Sequence, residues 1–415
     1  MTYSDYFLLS IFYFWASSTS LSLGIGYYTI YRPVMAGMIA GLILKNPQKG
    51  MMAGALVNII YIDFVSTGGS FKGDQCLTAI VAAMVSILYD LDPLEASALA
   101  YPFGFLGILI WKYRLKINNI FVHIYERKYK ENKAPDISVY DGLLPQLLLF
   151  VMSTLVFTAA LSLMFLLNDA VNFKNIGALY YIGLILVILS AFNILYKIKN
   201  KYNFIIFGAT FLAGELLGIR AYILFVLIIL TLLFTVDKKV DFAKNIFKGP
   251  IKKKDLVYSW FIWMNYSHSC YSYDRLMGLA FAHSMKNIFK KLYDNKYQIS
   301  EAIHRHTEFF NTEPNMGTPI LGYIIALEED RRIKDESFED ISYIKKGMMG
   351  ISAGLGDSFT QVILAPLFIS MSVMLCLDNG FYPAFIPVRL LAALILFISY
   401  AGFMNGYFKG KEFML

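Results

Sequence analysis

Long apolar runs separated by short basic segments set the pattern of this chain. A membrane-crossing helix needs about 20 predominantly apolar residues in succession. Runs of that character lie near 6–28, 51–65, 76–91, 98–112, 143–167, 178–196, 203–235, 347–376 and 382–408. Two of them do not fit a simple crossing. The 51–65 run is short, and the 203–235 run is too long and is interrupted by Gly208, Gly214 and Gly218. Irregular backbone at membrane depth is tolerated only where protein or a water-filled cavity satisfies its freed polar groups. Broken hydrophobic segments of this kind point to substrate sites in transporters. The pattern predicts an all-α polytopic membrane protein, a multi-span helical bundle with broken or re-entrant helices.

The hydropathy divides the chain. Residues 1–240 form a transmembrane domain, and 241–256 form a basic linker containing Gly249-Pro250. Residues 257–415 form a second domain, with a polar helical module over 257–346 and a membrane hairpin over 347–415. The first apolar run has no basic leader or small-residue cleavage site, so it reads as a retained span.

Composition agrees with this reading. Of 415 residues, 57% are hydrophobic and 16% charged, with a mean hydropathy of +0.54. Soluble domains carry about 25% charged residues. The net charge of +7 could suggest nucleic acid, but the basic residues collect beside apolar runs, which is the positive-inside arrangement. On that rule 112–133 and 238–254 are cytoplasmic loops near anionic lipid. The cysteines Cys76, Cys270 and Cys376 are far apart and odd in number, which argues against a disulfide framework or a thiolate metal site.

Several local constellations carry candidate chemistry. Gly37, Gly41, Gly50 and Gly54 recur at four-residue spacing, which lines one helix face and permits close helix packing. Asn58, Tyr61, Asp63 and Asp74 offer the amide, carboxylate and aromatic groups that a sugar needs; the alternative is that Gly68–Asp74 is an exposed loop. Glu215 and Arg220 are five residues apart, roughly 140° on an unbroken helix. They pair only if the helix breaks, and Gly218 allows that. Asn311-Thr312-Glu313-Pro314 reads as a turn, since Asn and Thr bond nearby backbone and Pro314 disfavours helix at Glu313. It is expected to end a helix running through Ile303–Phe310, on which His304 and Glu308 share a face. These two lack a third ligand, so no metal site is expected. Gly350, Gly354 and Gly356 precede Asp357, yet no phosphate-loop or dinucleotide pattern is present, and no cofactor is expected.

The ordered residues Arg32-Pro33, Gly37, Gly41, Gly50, Gly54, Gly68-Gly69 and Asp74 resemble the IIC membrane subunit of the mannose/fructose/sorbose family of the sugar phosphotransferase system (PTS). The likeness runs over roughly 1–240. The second half resembles the partner subunit IID. Its matches are Tyr273-Asp274-Arg275-Leu276-Met277, Ser284-Met285, Lys291-Leu292-Tyr293, Arg305-His306, Glu308-Phe309-Phe310-Asn311-Thr312, Pro314, Pro319-Ile320-Leu321-Gly322, Ala326-Leu327-Glu328-Glu329 and Gly354-Leu355-Gly356-Asp357, then Val388-Arg389-Leu390 and Gly406-Tyr407. The chain therefore resembles a IIC-like half fused to a IID-like half.

The resemblance implies a multi-pass permease of the bacterial cytoplasmic (inner) membrane, embedded in lipid. It implies a homotrimer that translocates a hexose of the mannose, fructose, sorbose or amino-sugar class. Phosphate reaches the sugar from histidines on separate soluble IIA and IIB proteins, so the chain is the membrane part of a phosphotransferase and carries no phosphoryl group itself. None of His123, His268, His283, His304 and His306 lies in anything resembling a IIA or IIB domain. The candidate substrate-binding residues are Asn58, Asp63, Asp74, Arg275, His306, Glu308, Asn311, Thr312 and Asp357, with the sugar held where the halves meet; Glu215 and Arg220 are candidate intramembrane charges. The sequence also departs from the pattern. Asn58 stands where family members commonly carry glutamate, Thr360-Gln361-Val362 and Ala365 replace an aromatic-glycine-threonine and arginine pattern, and typical IID subunits continue well past the position of Leu415. These departures set a non-transporting sugar receptor beside the permease, and a phosphorylation-independent sugar transporter is a further alternative.

Overall fold

The computed structural model describes residues 1–18, 20–62, 72–197, 200–216, 249–334, 339–379 and 381–413. Sixteen α-helices account for most of these residues, and two isolated β-bridges, Ser272 with Leu276 and Leu276 with Phe310, are the extended pairings among them. The first half contains α1 Tyr3–Ser17, α2 Pro33–Ile43, α3 Pro47–Ile60, α4 Gln75–Leu88, α5 Pro93–Ala100, α6 Gly104–Lys130, α7 Leu144–Val171, α8 Leu179–Lys197 and α9 Lys201–Leu216. The second contains α10 Lys253–Tyr266, α11 Gly278–Leu292, α12 Lys296–Arg305, α13 Thr318–Lys334, α14 Glu339–Gly356, α15 Ala365–Asn379 and α16 Phe385–Phe413.

Five helical stretches among the described residues are long and apolar enough to cross a membrane: Pro93–Lys130, Val139–Val171, Leu179–Tyr196, Asp340–Cys376 and Phe385–Gly410. Two shorter apolar helices, Pro33–Ile43 and Gln75–Leu88, lie in the first half. Broken helices are present as expected. The run predicted over 6–28 stops at Ser17 and continues as a turn and a short 3-10 segment, Gly26–Tyr28. Wide π-helical turns occur at Val139–Leu143, before α7, and at Asp357–Leu364, between α14 and α15.

The short α2 and α3 pack through the repeated glycines. A Cβ on Gly37 would lie 2.4 Å from the Gly50 carbonyl oxygen, and one on Gly50 would lie 2.3 Å from that of Gly37. The helices therefore touch backbone to backbone, which larger residues forbid.

Three expectations are corrected. The basic segment after 112 is not a loop. Residues 104–130 form one 27-residue helix whose basic last turn, Arg127, Lys128 and Lys130, favours the helix C-terminus. The helix before the Asn311–Pro314 turn ends at Arg305, not Phe310. His306 and Thr307 backbone amides close back onto Ile303 and His304, and Phe310 pairs with the Arg275–Met277 backbone instead. His304 and Glu308 therefore share no helix face. Finally, the crossing stretch Asp340–Cys376 begins inside the segment read as a polar module.

The cores are shared between the halves. Leu115, Val122 and Tyr125 of α6 belong to one buried cluster with Trp263, Phe281 and Phe310. Val34, Met35 and Met38 of α2 pack with Ile369, Cys376 and Val388. Within lipid, helices associate through close van der Waals packing and not through removal from water, and these clusters supply that packing across the two halves.

Candidate functional site

Where the halves meet lies a cavity of about 90 Å³, room for several waters at about 10–15 Å³ each. The first half contributes Ser17, Tyr27, Tyr28, Trp111 and Arg114, and the second contributes His268, Tyr271, Asn311, Thr312, Glu313, Asp357 and Gln361. Each element delivers its residue for a local reason. Ser17 lies at the end of α1, and the break after it brings Tyr27 and Tyr28 back to the wall. At Gly24, φ is +68° and a Cβ would fall 2.6 Å from the Met264 carbonyl oxygen. That conformation and that close approach both demand glycine.

Glu313 is the most heavily bonded residue of the wall. Tyr28 Oη donates to its Oε1 at 2.5 Å across the halves. Asn315 Nδ2 donates to Oε1 at 2.9 Å, and the Asn315 and Met316 amides donate to Oε2 at 3.1 and 2.6 Å. Asn311 Oδ1 accepts from Tyr271 Oη at 2.9 Å. Asp357 is half-buried at the start of a π-helical turn, and its Oδ1 accepts from Gln361 Nε2 at 2.7 Å. The wide turn sets Asp357 and Gln361 on one side of the helix, four residues apart.

Arg114 is 3% exposed and sits within the crossing stretch Pro93–Lys130. Burying a charged guanidinium is costly unless it is paired and hydrogen-bonded. Its Nη2 donates to the carbonyls of His268 and Ser269 at 2.8 and 2.9 Å, and the Trp111 ring lies 5.7 Å from the guanidinium carbon. No carboxylate forms an ion pair with it among the described residues. Burial, and then the charge of Arg114, pushes His268 down to about 4, so this imidazole is neutral at pH 7.

Four buried polar atoms on the wall have no hydrogen-bond partner: Ser17 Oγ, Arg114 Nε, Thr312 Oγ1 and Gln361 Oε1. Leaving such a group unpaired costs about 1–3 kcal/mol, so a ligand that pairs them binds more tightly for doing so.

Of the nine candidate substrate residues, the structure brings together three, Asn311, Thr312 and Asp357. Asp74 lies inside the first half, where it caps α4 through the Leu77 amide at 2.9 Å and accepts from Tyr13 Oη at 2.7 Å. Asn58 is half-buried on α3, away from the cavity. Asp63 lies outside the described residues, as do Arg220 and the Glu215 side chain.

Arg275, His306 and Glu308 belong to ion-pair networks away from the cavity. Arg275 pairs with Glu126 of α6. Glu328, fully buried, accepts from Arg305 Nε and Nη2 at 3.1 and 2.8 Å and meets His306 Nε2 at 2.8 Å. Burial pushes His306 below its ordinary value against the pull of Glu328. The neutral ring then donates from Nε2, leaving Nδ1 as the unpaired buried atom. Burial would raise Glu308, but Lys345, with Ser342 and Lys346, overcomes it and holds the carboxyl at about 2.

Sequence reading missed Tyr28, Arg114, His268, Tyr271 and Gln361 as wall residues. Arg114 carried a signal, an arginine at the edge of an apolar run, but its neighbours Lys112 and Lys116 made it look like part of a basic loop. Among the described residues, no group of three or more His, Cys, Asp or Glu side chains could hold a metal ion.

Comparison with known proteins places this architecture. The family model described as the PTS system sorbose-specific IIC component matches residues 4–235, and that of the PTS mannose/fructose/sorbose family IID component matches 250–415. The chain is similar to the fructose permease IID component of Bacillus subtilis (32% identity, 40% of this chain and 60% of the relative). It is also similar to the mannose-specific EIID component of Escherichia coli K12 (33% identity, 37% and 54%). The sorbose-specific EIIC component of Lacticaseibacillus casei is 22% identical over 28% of this chain and 43% of the relative. Among solved structures, a complex of the mannose transporter ManYZ with microcin E492 is 30% identical over 40% of this chain and 61% of that chain, with a TM-score of 0.38. The chain spans 60% or less of each of these three curated relatives. With one family matched over its first half and the partner family over its second, the chain belongs to the mannose/fructose/sorbose family of the sugar phosphotransferase system and joins IIC and IID membrane components in one polypeptide.

Proposed function

We propose that this chain is the membrane permease of a PTS, taking up a hexose through the cavity between its halves and releasing it inside as the sugar phosphate. The carrying observation is the cavity itself: both halves line it, and four of its buried polar atoms lack partners. Sugar hydroxyls each donate and accept, so a sugar suits a wall that carries donors and acceptors of both kinds. Tyr27, Tyr28, Trp111 and Tyr271 offer ring faces for the apolar side of a pyranose. The names of the relatives support the mannose, fructose and sorbose class of substrate.

The phosphoryl donor is a separate phosphorylated IIB protein. It docks on the basic cytoplasmic face, where α6 ends in Arg127, Lys128 and Lys130. There the Tyr129 ring stacks on His304 at 3.8 Å, tying that end of α6 to the IID-like half. An elevator-like motion of one part of the bundle carries the sugar across. The unit works as a homotrimer in the bacterial cytoplasmic membrane.

Uptake of labelled hexoses into cells carrying the chain, with and without IIA and IIB partners, tests this reading. Sugar phosphate is expected to accumulate only with the partners. Accumulation of unmodified sugar would instead mark a phosphorylation-independent transporter, and sugar binding without uptake would mark a receptor.

A further inference from the structure

Arg114 is chemically out of keeping with a site for a neutral sugar alone. It is a buried cation on the cavity wall, its Nε has no partner, and it has no ion pair among the described residues. The acids of the same wall are disposed differently. Glu313 is committed through both oxygens to Tyr28, Asn315 and Met316. Asp357 is half-buried and engages Gln361 through Oδ1. The wall thus holds an unneutralised guanidinium and an accessible carboxylate on elements from opposite halves, α6 and the turn after α14.

A hydroxyl gives Arg114 an acceptor but no countercharge. A phosphoryl group in transit does, because negative charge spreads over its oxygens and a planar guanidinium matches them. Resting on the permease reading above, we propose that Arg114 and Asp357 are catalytic residues of the phosphoryl transfer to the bound sugar. The sugar hydroxyl oxygen attacks the phosphorus of the partner protein's phosphohistidine. The new P–O bond forms as the P–N bond breaks, and the P–N electron pair returns to the imidazole nitrogen. The hydroxyl proton passes to the Asp357 carboxylate. Arg114 keeps its proton throughout and stabilises the charge on the transferring oxygens. Trp111 against the guanidinium and the two carbonyls on Nη2 fix its plane.

The test separates binding from transfer in the full chain, reconstituted in vesicles. Equilibrium binding of labelled hexose is measured without partner, and the single-turnover rate of sugar-phosphate formation is measured with phosphorylated IIB at saturating sugar. Arg114→Gln is expected to lose far more in transfer than in binding: about tenfold in sugar affinity, as for one lost hydrogen bond, against about 100-fold or more in the transfer rate at saturating sugar, as for loss of one preorganised charge-stabilising donor. Arg114→Lys is expected to recover part of that rate. Asp357→Asn is expected to lose about 100-fold or more in rate and the acid limb of the pH–rate profile. Parallel losses of binding and transfer in both Arg114 variants would overturn the proposal in favour of a binding or folding role. Unchanged rates in the Arg114 and Asp357 variants would also overturn it while leaving the permease reading intact. A wild-type chain that forms no sugar phosphate with its partners would sink the permease reading, and this inference with it.

Discussion

His268 gives the site a pH dependence whose sign follows from its surroundings. Burial and the Arg114 charge hold its folded-state pKa at about 4, below the ordinary 6.5. Above pH 6.5 both folded and unfolded chains carry the ring neutral. Between pH 6.5 and 4 the unfolded chain takes up a proton that the folded chain refuses, so stability falls as pH falls. Thermal unfolding in detergent is expected to show a lower Tm at pH 5 than at pH 7, and His268→Gln should shrink the difference. An unaltered difference in that variant would assign it to other groups. Residue roles were partly legible in the sequence. Asn311, Thr312 and Asp357 were singled out by their place in the IID-like motifs together with their polar chemistry, and all three line the cavity. His306 and Glu308 were singled out by the same logic, but the fold pairs them with Glu328 and with Lys345 and Lys346. A titratable side chain announces that it needs a partner, and the sequence does not say whether that partner is protein or ligand.

At the scale of elements, the glycine spacing was the most readable signal. Gly37, Gly41, Gly50 and Gly54 give a close helix pair wherever the two helices meet, because the absence of Cβ acts through local geometry. Gly50→Ala is expected to destabilise the protein by about 1–3 kcal/mol, as overpacking does, since its Cβ would sit 2.3 Å from the Gly37 oxygen. Gly347→Ala, which meets nothing within 4 Å, is the control and should be near neutral in the same thermal-unfolding assay. Equal effects of the two would deny the close pairing of α2 and α3. Helix ends were less legible. The Asn311–Pro314 turn looked like the stop signal for a helix, yet the chain leaves the helix at Arg305 because Phe310 finds a tertiary backbone partner in Arg275 and Met277.

The whole molecule is held together by polar contacts as well as by shared cores. Asn118 Nδ2 donates to the Tyr271 carbonyl at 2.8 Å, and Gln146 Nε2 donates to Ser269 Oγ at 3.0 Å. His283 Nδ1 meets buried Asp141 Oδ2 at 2.8 Å, and Tyr28 reaches Glu313. Segments 1–240 and 241–415, expressed as separate chains, are therefore expected to co-purify from detergent. Tyr28→Phe combined with Asp141→Ala should weaken that association, whereas recovery of the two segments apart would show that the covalent link holds them. The sequence by itself determined that this is a helical membrane protein with a IIC-like and a IID-like half. Hydropathy over about 20 residues and the order of motifs are properties of the chain alone. Only the tertiary structure decided where the site lies. The cavity is assembled from the end of α1, the Gly24–Tyr28 segment after it, α6 and three separate stretches of the second half, and contacts between residues more than 100 positions apart leave no local pattern of spacing or composition.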